Sequence, residues 1–184
     1  MFSKTICTHC FFVKKFGDND FIILLLYVDD ILIVGQDTSK INELKRELSK
    51  YFAMKDLGLA KHILSIKISR DKKSGKLWLS QEAYNERFLE RFNMSNAKSV
   101  CSPPRGDFNL SFEHYPTSEK EKKNMKGVPY ASAVGSLIYD MVCTRPDIAH
   151  VVSVVSQFLS NPGKEHKIVV KWILRYLKGT SKAC

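Results

Sequence analysis

Near the N-terminus, apolar residues occur in short continuous runs, which is the pattern of β-strands. Cys10–Phe16 and Phe21–Val28 flank a cluster of turn-forming residues and predict a hairpin. A third run, Ile31–Val34, directly follows Asp29 and Asp30 and predicts a second hairpin with these acids at its tip. Because the runs are apolar at almost every position, we expect strands that are covered on both faces.

Further along, the apolar spacing alternates between the periods of helices and strands. The pattern predicts a helix over Lys40–Phe52 with Ser39 as its N-cap, a hairpin from Ile63–Arg70 through a turn to Leu77–Leu79, and a helix ending at Phe92 with Ser80 as its N-cap. Residues 95–127 contain three prolines and the mixed-charge run Glu119–Lys123, and they are interpreted as a linker.

After Pro129 the apolar residues again recur at helical spacing. Three helices are predicted there, with apolar stripes centred on Leu137, Val152 and Ile173. The expected fold class is therefore α+β, with an antiparallel sheet and packed helices over residues 1–94, a linker over 95–127 and an all-helical segment over 128–184.

Composition supports a folded globular chain. Of the 184 residues, 44% are hydrophobic and 26% are charged, which excludes wholesale disorder, collagen and coiled coil. The longest apolar run, Phe21–Val28, is far shorter than the roughly 20 residues that cross a bilayer, so no membrane span is expected. Cys7 and Cys10 are interpreted as free thiols, because no second ligand pair follows at the spacing of a metal site.

The net charge of +10 favours a polyanionic partner through long-range attraction and counterion release. A basic solvated surface explains the same charge equally well. The final predicted helix concentrates cations that could contact phosphates or simply face water: Lys164, Lys167, Lys171, Arg175, Lys178 and Lys182.

Asp29 and Asp30 are the most informative residues. Two adjacent acids between apolar strands repel each other and resist burial unless a cation neutralises them or the turn leaves them in water. Aspartate also favours turns for backbone reasons alone. The residues themselves leave both interpretations open.

The sequence around these acids resembles a known family. Tyr27-Val28-Asp29-Asp30 between two apolar strands is similar to the active-site hairpin of reverse transcriptases. An ordered series of further motifs resembles the later part of the reverse transcriptase in copia-type retrotransposon Pol polyproteins: Phe52–Gly58, Trp78–Gln81, Pro129–Leu137, Cys143–Ala149, Phe158–Gly163 and Trp172–Thr180.

The resemblance implies RNA-directed DNA synthesis by two-metal nucleotidyl transfer. It implies that Asp29 and Asp30 are catalytic and bind Mg²⁺, with Mn²⁺ as an alternative, and that Tyr27 and Val28 lie near the primer end or the incoming base pair. The implied partners are an RNA template, a DNA primer, deoxynucleotide triphosphates and the rest of the Pol polyprotein. Residues 1–94 would be part of the palm and residues 128–184 the thumb and connection, in a cytoplasmic virus-like particle or the nucleus.

Some features depart from the family pattern. Its further metal-binding Asp and its nucleotide-gripping fingers lie well upstream of the Tyr27 motif, so we expect this chain to be inactive by itself. Asp18 and Asp20 are not substitutes, because they lie at the opposite end of the Tyr27 strand. Ser65 stands where the family usually has glycine, and Asp140 falls within an apolar helical stretch.

Two alternatives remain from the residues alone. The chain could be a non-catalytic nucleic-acid-binding remnant, or a structural domain in which Asp29 and Asp30 form a polar turn. The remaining notable residues are interpreted as scaffold: Trp78 and Trp172 as core residues, and Arg145-Pro146-Asp147 as a helix start.

Overall fold

The computed structural model describes residues 3–4, 10–17, 20–103 and 110–181, with residues 3–4 described as backbone only. The chain forms two compact units, residues 1–60 and 61–184. The helix over Glu82–Arg91 belongs to the second unit, because it contributes Phe88 and Leu89 to the core of that unit.

The first unit contains a four-stranded antiparallel sheet in sequence order, followed by one helix. Both predicted hairpins are confirmed by the pairing of neighbouring strands. The elements are β1 (Ser3–Lys4), β2 (Phe11–Lys15), β3 (Phe21–Tyr27), β4 (Asp30–Gly35) and α1 (Thr38–Tyr51).

Helix α1 covers one face of this sheet. Gly35 lies beneath it, and a β-carbon at this glycine would lie 3.2 Å from the Ile22 side chain and 3.5 Å from Ile41. Ile22 is 1% exposed, whereas Val34, whose side chain projects from the other face, is 45% exposed. The expectation that these strands are covered on both faces is therefore wrong for the described part of this unit, where α1 is the one helix that packs on the sheet.

The start of α1 also differs from the prediction. Asp37, rather than Ser39, is the N-cap, and its side chain accepts hydrogen bonds from the backbone N–H groups of Ser39 (2.8 Å) and Lys40 (3.4 Å). Both residue types are good caps. The apolar pattern could not distinguish between them, because they lie two residues apart.

The second unit combines a three-stranded antiparallel sheet with five α-helices in its described residues. Short 3-10 turns occur at residues 112–114 and 146–148. The elements are β5 (His62–Ile63), β6 (Ile66–Asp71), β7 (Lys76–Ser80), α2 (Glu82–Arg91), α3 (Glu119–Lys126), α4 (Tyr130–Cys143), α5 (Ala149–Ser156) and α6 (Lys164–Gly179).

The predicted strand Ile63–Arg70 is interrupted. Leu64 and Ser65 have φ angles of 50° and 64°, in the left-handed region that favours glycine, and they form a turn between β5 and β6. A strand cannot continue through such a turn. The glycine that the family usually carries at the position of Ser65 would adopt this conformation without steric cost.

The core of the second unit lies between α2, α4, α5 and α6. Its fully buried side chains come from all three helices predicted after Pro129 and confirm them. They include Val134, Leu137, Ile148, Val152, Val155, Ile173 and Leu177. Sheet and helices together establish the α+β class. No helix in the described ranges has both the length and the apolar character needed to span a membrane.

Residues 95–127 are more ordered than the predicted linker wherever they are described. Helix α3 begins with a capping box, in which Ser118 accepts from the Glu121 N–H and Glu121 accepts from the Ser118 N–H. Before it, the chain is bound to α6, since the Arg175 Nε donates to the Lys98 carbonyl (2.7 Å). This stretch therefore packs against the helical core.

Candidate functional site

The tip of the β3–β4 hairpin carries the predicted site residues. Tyr27 pairs with Asp30 at the end of the ladder, and Val28 and Asp29 form the two-residue turn between them. Asp29 and Asp30 are both exposed, and Val28 is 89% exposed. The sequence prediction that the two acids lie at the hairpin tip is confirmed.

Val28 adopts an unusual backbone conformation. Its φ angle is 51°, in the left-handed region that costs an L-residue roughly 1–2 kcal/mol and is rare for a β-branched side chain. Two-residue hairpin turns that match the strand twist require positive φ, which normally selects glycine or asparagine. This strain could not be predicted from the residue type, because valine is an ordinary strand residue.

The strand register assigns the acids to a face. Asp30 is the cross-strand partner of Tyr27, so both side chains project from the sheet face opposite α1. Within the described part of the chain, neither the Asp29 nor the Asp30 carboxylate has a hydrogen-bond or ion-pair partner. The turn therefore presents carboxylate oxygens to solvent, where they can accept an external ligand.

The carboxylate at the other end of β3 has a different role. Asp20 forms an ion pair with Lys40, and the Lys40 Nζ lies 4.7 Å from the centroid of the Phe16 ring. The hydrogen bond that the Lys40 ammonium donates to the Asp20 carboxylate raises the pKa of Lys40. Asp20 thus joins α1 to the sheet. It is not at the hairpin tip, in agreement with the expectation that it does not replace the missing metal ligand. Asp18 lies outside the described residues.

A metal ion would find a partial ligand set at the tip. Carboxylate oxygens are hard ligands that suit Mg²⁺, so Asp29 and Asp30 are the type of residue that binds this ion. Among the described residues, no three His, Cys, Asp or Glu side chains converge to hold a metal. Cys10 is a free, exposed thiol, and Cys7 lies outside the described residues.

The second unit contains a buried polar group that sequence analysis noted only as a departure. Asp140 on α4 is fully buried, and burial raises its pKa to about 7, opposed by the nearby Arg145. The amide of Asn85, oriented so that its nitrogen donates, lies 3.1 and 2.5 Å from the two carboxylate oxygens. Asn85 on α2 is itself 2% exposed.

Arg145 connects two parts of the helical core. Its side chain is almost completely buried, donates to both oxygens of Asp147 (2.9 and 2.7 Å) and reaches Thr180 at the end of α6. The Tyr176 hydroxyl donates to the same Asp147 at 2.8 Å. The hydrogen bonds from Arg145 lower the pKa of Asp147. The predicted helix start at this motif is confirmed, and the motif also holds α6 in place.

The tryptophans differ in their environments. Trp78 is 41% exposed on β7, so the prediction that it is a core residue is wrong. The reason is that β7 is an edge strand, and the side chains on both of its faces are largely exposed. Trp172 on α6 is half-buried, and its indole N–H donates to the Ser102 carbonyl.

The cations of α6 fall into two groups. Arg175 and Lys178 donate to the carbonyls of Lys98 and Ala97, so they attach the preceding segment to the helix. Lys164 and Lys171 are exposed and Lys167 is half-buried. Lys182 lies outside the described residues. The side chains of Lys164, Lys167 and Lys171 make no hydrogen bond or ion pair within the described part of the chain.

Comparison with known proteins gives consistent matches. The family model described as "Reverse transcriptase (RNA-dependent DNA polymerase)" matches residues 1–105. Together with the acid-tipped hairpin, this match shows that the chain belongs to the reverse transcriptase family. Its relatives further show that it corresponds to a segment of a copia-type retrotransposon Pol polyprotein.

Three curated proteins are similar to this chain, and two of them are retrovirus-related Pol polyproteins. The chain is 62% identical to the retrovirus-related Pol polyprotein from transposon TNT 1-94 of Nicotiana tabacum, over 98% of this chain and 14% of that protein. It is 36% identical to the Pol polyprotein from transposon RE1 of Arabidopsis thaliana, over 97% and 12%. It is 38% identical to an uncharacterized mitochondrial protein of Arabidopsis thaliana, over 85% and 61%. No solved structure matches.

Proposed function

We propose that this chain contributes the Tyr-Val-Asp-Asp part of the nucleotidyl-transfer site of a reverse transcriptase. One observation carries the proposal: Asp29 and Asp30 occupy the tip of a tight hairpin, exposed and without protein partners in the described part of the chain. A merely structural Asp-Asp turn usually uses its carboxylates to cap nearby backbone N–H groups. These two side chains make no such bond.

The proposed roles follow from the position of each residue. Asp29 lies in the turn and Asp30 on the face of Tyr27, so the two carboxylates would bind divalent ions from adjacent directions. Bound Mg²⁺ or Mn²⁺ would supply activation of the primer 3′-hydroxyl and stabilisation of the leaving pyrophosphate. Reverse transcriptases generally use such ions. Tyr27 and Val28 would contact the primer end or the incoming base pair.

The larger activity requires more than these 184 residues. The chain spans 12 to 14% of the three retrovirus-related Pol polyproteins from transposons TNT 1-94, RE1 and RE2. We therefore propose RNA template, DNA primer and deoxynucleotide triphosphates as ligands of the complete polyprotein. Within this chain, residues 1–94 would belong to the palm and residues 128–184 to the thumb and connection.

The experiment measures metal-dependent binding of a template–primer by the chain. We expect Mn²⁺ to strengthen binding, and we expect this gain to disappear in Asp29→Asn and Asp30→Asn. Glu43→Gln is the matched control, because Glu43 is an exposed acid on α1 and its replacement removes the same charge. An Mn²⁺ gain that survives both aspartate variants would contradict the proposed metal role and leave non-catalytic nucleic-acid binding as the function.

A further inference from the structure

A cleft of about 230 Å³ opens on the helical unit between α2, α4 and α6. Its apolar surface includes Phe92, Val128 and Val170, and cations line it at Arg91, Lys167 and Lys171. No Asp or Glu is among the residues that line it. The cleft is therefore an apolar recess with positive charge and no compensating acid.

The three cations lie on two elements and meet at the same cleft. Lys167 and Lys171 are four residues apart on α6 and so project from the same face of the helix. The Arg91 guanidinium carbon lies 5.7 Å from the Phe92 ring centroid. In the part of the chain that the structure describes, none of the three side chains has an ion-pair partner. Like charges held at one cleft repel unless an anion is bound between them.

The cleft chemistry restricts the ligand. Free phosphate would satisfy the cations but leave the apolar surface unused, and a neutral apolar ligand would do the reverse. The volume is below the roughly 300–1,000 Å³ of pockets that enclose drug-sized molecules, so it suits one ring system. A nucleotide within a strand offers a flat base for the apolar surface and phosphates on either side for the cations.

We propose that this cleft binds one unstacked base of single-stranded nucleic acid, with Arg91, Lys167 and Lys171 contacting the flanking phosphates. A single strand is required because bases inside a duplex are paired and stacked. The chemistry is shared by RNA and DNA, so both are candidates. The inference rests on the proposed function, because it takes nucleic acid as the ligand. It adds that the cleft between α2, α4 and α6 is a binding site for that ligand.

The first arm of the experiment separates the cleft from general positive charge. Binding of fluorescent oligo-dT and oligo-U is measured for the chain, for the triple variant Arg91→Ala/Lys167→Ala/Lys171→Ala, and for a control triple variant. The control is Lys72→Ala/Lys73→Ala/Lys76→Ala on the exposed β6–β7 hairpin, which removes the same charge from the same unit. We expect the cleft variant to lose about tenfold in affinity and the control about twofold or less.

The second arm tests the base. An abasic strand of equal length keeps the phosphates and removes the ring, so the unaltered chain should bind it several times more weakly than oligo-dT. Phe92→Leu keeps an apolar side chain but removes the aromatic face, and it should reduce this preference. Thermal unfolding of each variant verifies its fold. The comparison of the abasic oligonucleotide with oligo-dT uses the unaltered chain and therefore requires no variant.

The outcomes are distinguishable. Equal losses in the two triple variants, or equal affinity for abasic and normal strands, would overturn the cleft assignment while leaving salt-dependent binding and the proposed function intact. Tighter binding of an acidic peptide than of oligonucleotides at the cleft would overturn the choice of ligand. Absence of all nucleic-acid binding by the unaltered chain would contradict both the inference and the proposed function.

Discussion

Asp140 is a single residue that sets a pH response for the second unit. Its side chain is fully buried beside the amide of Asn85 on α2, which is itself buried. A buried carboxylate is costly when ionised, so the folded state retains the proton to a higher pH than the unfolded state does. The side chain thus penalises folding at neutral pH.

The first prediction concerns Asp140→Asn. The pKa of Asp140 is raised to about 7 in the folded chain, against 3.8 as its ordinary value. Its contribution to stability should therefore be fully present below about pH 4 and decline as the pH rises to about 7, by up to ~4 kcal/mol. The variant should lack this decline and be the more stable of the two near pH 8.

The measurement is the free energy of unfolding in urea, determined from pH 5 to 8 for Asp140→Asn and for the unaltered chain. The quantity compared is the difference between the two free energies at each pH. The difference is needed because the buried His166, whose pKa is lowered by burial, changes stability in the same window with the opposite sign. Parallel stability curves for Asp140→Asn and the unaltered chain would contradict the prediction.

Arg145 shows why residue roles in this unit could not be derived from the sequence. Arg145-Pro146-Asp147 has a sufficient local explanation as a helix start, and the structure confirms that start. Its longer-range contacts to Tyr176 and Thr180 depend on where α6 ends in space. The sequence separation between Arg145 and Thr180 does not indicate that these residues are in contact. Arg91 was missed for the same reason, because Lys167 and Lys171 become its neighbours only after folding.

At the scale of elements, the start of α6 depends on one glycine. The Gly163 N–H donates to the Nδ1 of His166 at 2.9 Å, and His166 packs on the Phe158 ring with centroids 4.1 Å apart. A β-carbon at Gly163 would collide with the carbonyl oxygen of His114. The requirement for glycine is steric, since its φ of −99° is accessible to any residue.

The second prediction is a pair of glycine substitutions. Gly163→Ala should destabilise the second unit by about 1–3 kcal/mol, because backbone must move to admit the methyl group. Gly135→Ala should stabilise it by roughly 0.5–1 kcal/mol, since Gly135 is in the exposed part of α4 and a β-carbon there meets nothing within 4 Å. Denaturant unfolding measures both, and equal effects of the two substitutions would refute the steric explanation.

Element prediction succeeded where a pattern was strong and local. The two N-terminal hairpins followed from apolar runs separated by turn residues. Helix α3 was missed because it has no apolar face, although the spacing of Ser118 and Glu121 was a capping-box signal that could have located it. The turn at Leu64 and Ser65 had no such signal, because neither residue favours positive φ.

At the scale of the whole molecule, the charge of +10 governs association. The third prediction is that affinity for single-stranded nucleic acid falls as salt rises. If three phosphates are contacted, the logarithm of affinity should fall with a slope of about −2 against the logarithm of salt concentration. Titrations from low to physiological KCl measure the slope, and affinity that is indifferent to salt would refute the electrostatic explanation.

The fourth prediction is that the 184-residue chain does not extend a primer on an RNA template with Mg²⁺ or Mn²⁺. Asp29 and Asp30 are adjacent, and no third metal-binding side chain converges with others in the described residues. Mg²⁺ dehydrates reluctantly and is held poorly by so few ligands. The family resemblance places the groups that orient the triphosphate upstream of the Tyr27 motif, so we expect the positioning advantage of ~7 to 11 kcal/mol to be lost as well.

The assay is incorporation of labelled deoxynucleotide by the purified chain. Extension that is abolished by Asp29→Asn would show that residues of this chain, or of a second copy, complete the site. Retained extension in that variant would instead indicate a contaminating polymerase.

The participation of α2 in the helical core has a consequence for dissecting this polypeptide. The stretch recognisable as reverse transcriptase ends at residue 105, but the second compact unit runs from residue 61 to residue 184. A truncation at the homology boundary would strip Phe88 and Leu89 of their partners on α4 and α6 and expose them to water. Such a truncated product should aggregate or be degraded, so similarity limits are a poor guide to where this molecule can be cut.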